Sequence, residues 1–77
     1  MPYKLSLKGR HLVDTGDNFP ADLTEHQEQA LIYLDLHRHD GYIESSEVAK
    51  YYGLAPQAMR GPLASLYKRG YVEKKED

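Results

Sequence analysis

The stretch from Leu54 to Val72, Leu-Ala-Pro-Gln-Ala-Met-Arg-Gly-Pro-Leu-Ala-Ser-Leu-Tyr-Lys-Arg-Gly-Tyr-Val, constrains the fold of this chain more than any other. Proline at the first position of a helix lacks only an N–H that the helix would leave orphaned, and glycine is the residue best suited to a left-handed stop. Pro56 and Gly70 therefore bracket an expected helix over residues 56–69. Within it Met59, Leu63 and Leu66 recur at the spacing of one apolar face. The opposite face carries Gln57, Arg60, Gly61, Ala64 and Lys68, small and basic without an acid, which suits close approach to a polyanion. Gly61-Pro62 interrupts the pattern. A proline within a continuous helix removes one hydrogen bond and crowds the carbonyl four residues back, at roughly 3 kcal/mol, so the helix either bends there or restarts at Pro62.

The rest of the chain reads as support for this helix. Thr24 and Gln27 have the capping-box spacing, and Glu25 and Glu28 complement the positive start of a helix running to about His37. Ala30, Leu31 and Leu34 form its core stripe, while Ile32, Tyr33 and Leu36 are a surplus that the N-terminal segment or a second copy must cover. Asp40-Gly41 turns the chain into a short strand at Tyr42-Ile43-Glu44. Ser45 is the expected cap of a helix over 46–52, with Val48, Ala49 and Tyr52 inward and Gly53 closing it. Tyr71 to Lys75 is strand-like.

Ahead of these elements, residues 1–22 read as an N-terminal strand and loop extension to a domain over 23–77. Tyr3 to Leu7 alternate apolar and polar at the period of a half-buried strand. The following Ser6 to Val13 either turns back as a hairpin near Gly9 or forms a short helix capped by Ser6. Asp14 to Asp22 has the composition of a loop, and Phe19, the single phenylalanine, is expected to pin it to the body.

With 77 residues the chain is near the size where one core is only just sufficient, so help from a dimer or a ligand is expected. It has no cysteine, hence no disulfide framework, thiolate metal site or thiol nucleophile. No apolar run approaches the roughly 20 residues that span a bilayer, and a cytoplasmic location is the expectation. The net charge of −2 argues against a nucleic-acid binder, yet the charge is segregated. Residues 1–13 carry Lys4, Lys8 and Arg10, and residues 54–70 carry Arg60, Lys68 and Arg69, neither with an acid; Asp14 to Glu47 holds nine acids against Arg38.

Catalytic chemistry is not legible. His37, His39 and Asp40 offer metal ligands by type, but helix neighbours two apart do not face one another. There is no glycine-rich phosphate loop and no nucleophile with a base at a usable spacing, so neither an enzyme nor a cofactor is expected. Of the seven tyrosines, Tyr42, Tyr52 and Tyr71 stand where core or strand residues are expected, and Tyr51 and Tyr67 nearer the surface.

From Leu23 to Lys74 the order is helix, short strand, helix, turn, helix, strand: mainly α with a small β-sheet. Leu23-Thr-Glu-His-Gln27, Ser45-Ser-Glu-Val-Ala-Lys-Tyr-Tyr-Gly-Leu54 and Leu63-Ala-Ser-Leu-Tyr-Lys-Arg-Gly-Tyr-Val72 together resemble the winged helix-turn-helix family, in the manner of MarR-like and LexA-like DNA-binding domains. The resemblance implies three core helices, a recognition helix in the major groove and a role as a transcriptional regulator or accessory DNA-binding factor. By position it makes Gln57 and Arg60 base readers, Ala58, Gly61 and Ala64 groove surface, and Ser45, Lys50, Lys68 and Arg69 phosphate contacts. A two-stranded wing cannot be completed after Val72 within this sequence, and residues 3–7 are the candidate for its missing strand. The implied partner is double-stranded DNA, bound as a homodimer through the first core helix and the N-terminal segment. A protein partner docked on the recognition helix, without DNA binding, is the alternative.

Overall fold

The computed structural model describes residues 2–15 and 19–75, so part of the expected loop from Asp14 to Asp22 lies outside the described residues. Its elements are β1 (Pro2–Leu5), α1 (Leu7–Asp14), α2 (Glu25–Leu36), β2 (Ile43–Glu44), α3 (Ser45–Tyr51), α4 (Arg60–Lys68) and β3 (Val72–Lys74). The chain is thus mainly helical with one small antiparallel sheet.

The N-terminal segment supplies the centre of that sheet. The strand order is β2-β1-β3, with Tyr3 opposite Ile43 on one side and Lys74 on the other. Of the strand expected over residues 3–7, Tyr3 and Leu5 point inward as the alternation predicts, but the strand ends at Leu5, and Leu7 opens α1 and is exposed. After Leu5 the open choice between hairpin and helix resolves to a helix. The Ser6 hydroxyl accepts the Gly9 N–H at 3.1 Å as the cap of α1, and donates to the Gly70 carbonyl. The Ser6 N–H donates to the Tyr71 carbonyl at 3.1 Å. α1 is seated so closely there that a Cβ on Gly9 would stand 1.9 Å from the Tyr71 carbonyl oxygen. A side chain at position 9 would collide with backbone, which is why glycine is needed within a helix that it otherwise weakens.

α2 starts with the expected reciprocal cap: the Gln27 N–H reaches Thr24 Oγ1 at 3.2 Å and the Thr24 N–H reaches Gln27 Oε1 at 2.8 Å. Its inner face, with Leu31 and Leu34, meets Val48 of α3 and Leu63 and Leu66 of α4 in a core that excludes solvent, and Met59 completes the cluster. Burial of these aliphatic chains contributes about 1.5–3 kcal/mol each. One polar link crosses the core, from Gln27 Nε2 to Ser65 Oγ at 2.9 Å. Phe19, Leu12 and Val13 pack against the core edge, as expected for Phe19.

α3 and α4 end alike. Leu54 N–H donates to the Ala49 carbonyl at 2.8 Å and Gly53 N–H to the Lys50 carbonyl at 3.1 Å; the same pair of bonds joins Tyr71 to Leu66 and Gly70 to Tyr67, both at 3.0 Å. Gly53 and Gly70 take positive φ, +71° and +83°, in these paired-bond stops. The second stop swings β3 back alongside α4. The start of α3 departs from expectation: Glu44 is the capping position and makes no side-chain cap bond, while Ser45 is the first helical residue and is buried.

Candidate nucleic-acid interface

The local chemistry before α4 shortens the expected helix. Pro56, with its fixed φ, sits second in a turn closed by Ala58 N–H on the Ala55 carbonyl at 2.9 Å, and a further turn joins Arg60 N–H to the Gln57 carbonyl at 3.2 Å. The first bond of the helix proper is Leu63 N–H to the Met59 carbonyl, 3.0 Å. The helix therefore covers 60–68, not 56–69, and Gln57 and Ala58 precede it. Pro62 falls third in the helix, where an N–H would find no acceptor, and Ala58, whose carbonyl it would crowd, is outside. The interruption at Gly61-Pro62 is thus a helix start.

Arg60, Gly61, Ala64, Tyr67 and Lys68 form the exposed face of α4, with no acid among them. Arg60 and Ala64 border a cleft of about 480 Å³ with Tyr3, Glu44, Ser45 and Ser46. Gly61 has open space where a side chain would begin. At the other end of α4, Lys68 shares a second cleft, about 870 Å³, with Tyr42, Tyr67, Lys74 and Lys75. Lys74 Nζ lies 5.0 Å from the centre of the Tyr67 ring, and Lys4 Nζ 4.9 Å from that of Tyr42. Glu73 also lines this cleft and faces Lys4 across the strand pair.

The other residues singled out from sequence are placed elsewhere. Arg69 grips Asp22 with Nη2 at 3.0 and 3.1 Å from the two carboxylate oxygens, and this hydrogen bonding holds the Asp22 carboxyl below its ordinary range. Its guanidinium also lies 5.6 Å from the Tyr71 ring, which Lys8 covers at 4.8 Å while donating to the Arg69 carbonyl. Lys8 thus fastens α1 to the end of α4, and Arg69 fastens that end to the segment before α2. Lys50 borders a hollow with Tyr33, Glu47 and Tyr51, apart from the α4 clefts. Lys4 and Arg10 meet Arg38 around Leu7 in a third cleft. Of the cations in residues 1–13, Lys4 and Arg10 thus lie with Arg38, whereas Lys8 joins Arg69 at Tyr71.

Tyr67, Lys74 and Lys75 were not among the residues read as DNA contacts from sequence. The signal that could have found them is Gly70: a tight stop there returns the next few residues beside the helix they have just left. Tyr42 is 38% exposed where a core or strand residue was expected, because Ile43 takes the inward position of a two-residue strand and its predecessor must point the other way.

His37 Nδ1 pairs with Asp40 at 2.9 Å, and among the described residues no three His, Cys, Asp or Glu side chains gather as metal ligands. No helix among the described residues is long and apolar enough to cross a membrane. In comparisons with known proteins, no family model, no curated protein and no solved structure matches this chain.

Proposed function

We propose that this chain is a winged helix-turn-helix protein that binds double-stranded DNA through α4 and β3, without catalytic activity. In this reading α2, α3 and α4 are the three core helices, and β3 pairs with β1 as the wing, so that the second wing strand comes from the N-terminus. The antiparallel pairing of Leu5 with Val72 and of Tyr3 with Lys74 supports that assignment.

The observation that carries the proposal is the continuity of the acid-free face of α4 with Lys74 and Lys75, which border the same cleft as Lys68. Arg60, exposed in the first turn, is the base reader, with geometry suited to the two acceptors on a guanine edge. Gly61 and Ala64 keep the surface low enough for a groove wall to approach. Lys68, Lys74 and Lys75 meet phosphates. A module of this size presents a small interface, so two copies on related half-sites would act together in regulating transcription.

Binding of a random-sequence duplex, followed by fluorescence anisotropy at low salt, tests the proposal. Arg60→Ala should weaken binding by about 1–3 kcal/mol, whereas Arg38→Ala should leave it nearly unchanged. Absence of binding at about 50 µM protein overturns the reading, since non-specific contacts alone reach that range.

One observation favours a second reading, a protein-docking module: Ile32, Leu36 and Tyr51 are 43%, 64% and 60% exposed on neighbouring helices. An apolar partner bound there would be nearly indifferent to salt, whereas duplex binding falls steeply with it.

A further inference from the structure

We infer that the cleft between the end of α4 and β3 takes unpaired nucleotides, with Tyr67 and Tyr42 as stacking platforms, so that the protein prefers a duplex that ends in a single strand over a blunt one. This rests on the duplex-binding reading of α4 and extends it beyond paired DNA.

The cleft has the chemistry that single strands require, aromatic faces interleaved with cations. Tyr67 and Tyr42 both border it and remain 40% and 38% exposed, large rings held at the surface in a chain that buries Tyr3 and Tyr33. Each carries a lysine: Lys74 on Tyr67 and Lys4 on Tyr42. Each ammonium lies over a ring face, so a base that stacks there takes its place while the flexible lysine turns to the adjoining phosphate, and successive nucleotides repeat that pair of demands. Lys68 and Lys75 add two further cations, against Glu73 as the acid in the lining. A continuous duplex hides its bases within the stack and cannot use the rings, so the tyrosines gain a partner only where bases are unpaired.

Lys68 joins this cleft to the exposed face of α4. A duplex seated on Arg60 and Ala64 would deliver its end, and any overhang, toward Tyr67. The tyrosines between α2 and α3 provide an internal control. Tyr51 is more exposed than Tyr67 and shares a hollow with Lys50 and Glu47, but its near ring partners are Tyr33 and Tyr52, where Tyr67 and Tyr42 have lysines.

The test compares three probes by anisotropy at one salt concentration: a blunt duplex, the same duplex with a thymidine overhang, and the thymidine strand alone. The overhang should raise affinity about tenfold, in the range that one or two stacked bases supply. Tyr67→Ala should abolish that gain, so that overhanging and blunt duplexes bind the variant alike, and should weaken the single strand about tenfold. Tyr67→Phe should keep the gain because the ring remains, and Tyr51→Ala should not alter it. Equal affinity for blunt and overhanging duplexes, or a gain that survives Tyr67→Ala, overturns the inference even where blunt duplex binds. Loss of blunt binding alone, with single-strand affinity still dependent on Tyr67, overturns the duplex reading and leaves the stacking cleft standing.

Discussion

Tyr33, Tyr51 and Tyr52 pack ring against ring where α2 meets α3, whereas Tyr42, Tyr67 and Tyr71, beside the sheet and the end of α4, each meet a cation. In the first group the ring centres are 4.9 Å apart between Tyr33 and Tyr51 and between Tyr51 and Tyr52, and His37 stacks on Tyr33 at 4.4 Å. Burial pushes the Tyr33 and Tyr52 hydroxyls above their ordinary pKa, helped by the charge of Glu47 near Tyr33 and by Tyr51 near both. Their surroundings favour a neutral phenol. In the second group Lys4, Lys8, Arg69 and Lys74 lie about 5 Å from a ring centre, as a cation–π contact requires. One residue type therefore packs ring against ring in one region and carries cations in the other. The neighbours decide which, not the tyrosine.

The sharpest way to break this distinction is by truncation. Tyr33→Ala should cost about 3 kcal/mol in urea unfolding, since a buried ring leaves a cavity, whereas Tyr67→Ala should cost less than about 1 kcal/mol. Equal losses would mean that Tyr67 is packing too. Gly9→Ala should follow at about 2 kcal/mol, because the Tyr71 carbonyl must move to admit the methyl group. That movement should also loosen Lys8 and Arg69 from the Tyr71 ring, detectable as a change in tyrosine fluorescence. Tyr52→Phe removes the hydroxyl that donates to the Gln29 carbonyl at 3.0 Å, for about 1 kcal/mol.

The same hydroxyls predict an alkaline limit. A phenol whose pKa is raised on folding stabilises the native state fully below the unfolded value of about 10, and that contribution is lost as pH rises through the folded value. Stability should therefore fall above about pH 10. The fall should be shallower in a Tyr33→Phe, Tyr52→Phe double variant, measured as urea midpoints across that range. A drop of equal depth in the double variant would assign the alkaline sensitivity elsewhere.

What was legible in the sequence was local. The capping box at Thr24 and Gln27, the stops at Gly53 and Gly70, and the buried faces of α2 and α4 each depend on residues within a few positions, where spacing carries the physics. Two features were not legible from spacing alone. Proline at 56 and proline at 62 are both compatible with the first turn of a helix, and only the turns closed at Ala58 and Arg60 place the start at Arg60, with Pro62 in that first turn. The gathering of Lys74 and Lys75 with Lys68 depends on β3 returning beside α4, and the strand pairing that holds β3 there joins residues about 70 apart, Tyr3 with Lys74 and Leu5 with Val72. The proposed contact residues divide accordingly. Arg60, Gly61, Ala64 and Lys68 share one exposed face, while Arg69 is held by Asp22, Ser45 is buried and Lys50 lies on the α2 side.

In the proposed function the α4–β3 surface is a polyanion site and the α2–α3 aromatic cluster is not. Duplex affinity measured across a series of salt concentrations tests it most directly, for the native chain, for Lys74→Gln and for Lys50→Gln. Log affinity should fall linearly with log salt, with a slope that shrinks by about one for Lys74→Gln and stays unchanged for Lys50→Gln. A native affinity insensitive to salt, or a slope reduced by Lys50→Gln and not by Lys74→Gln, would contradict it.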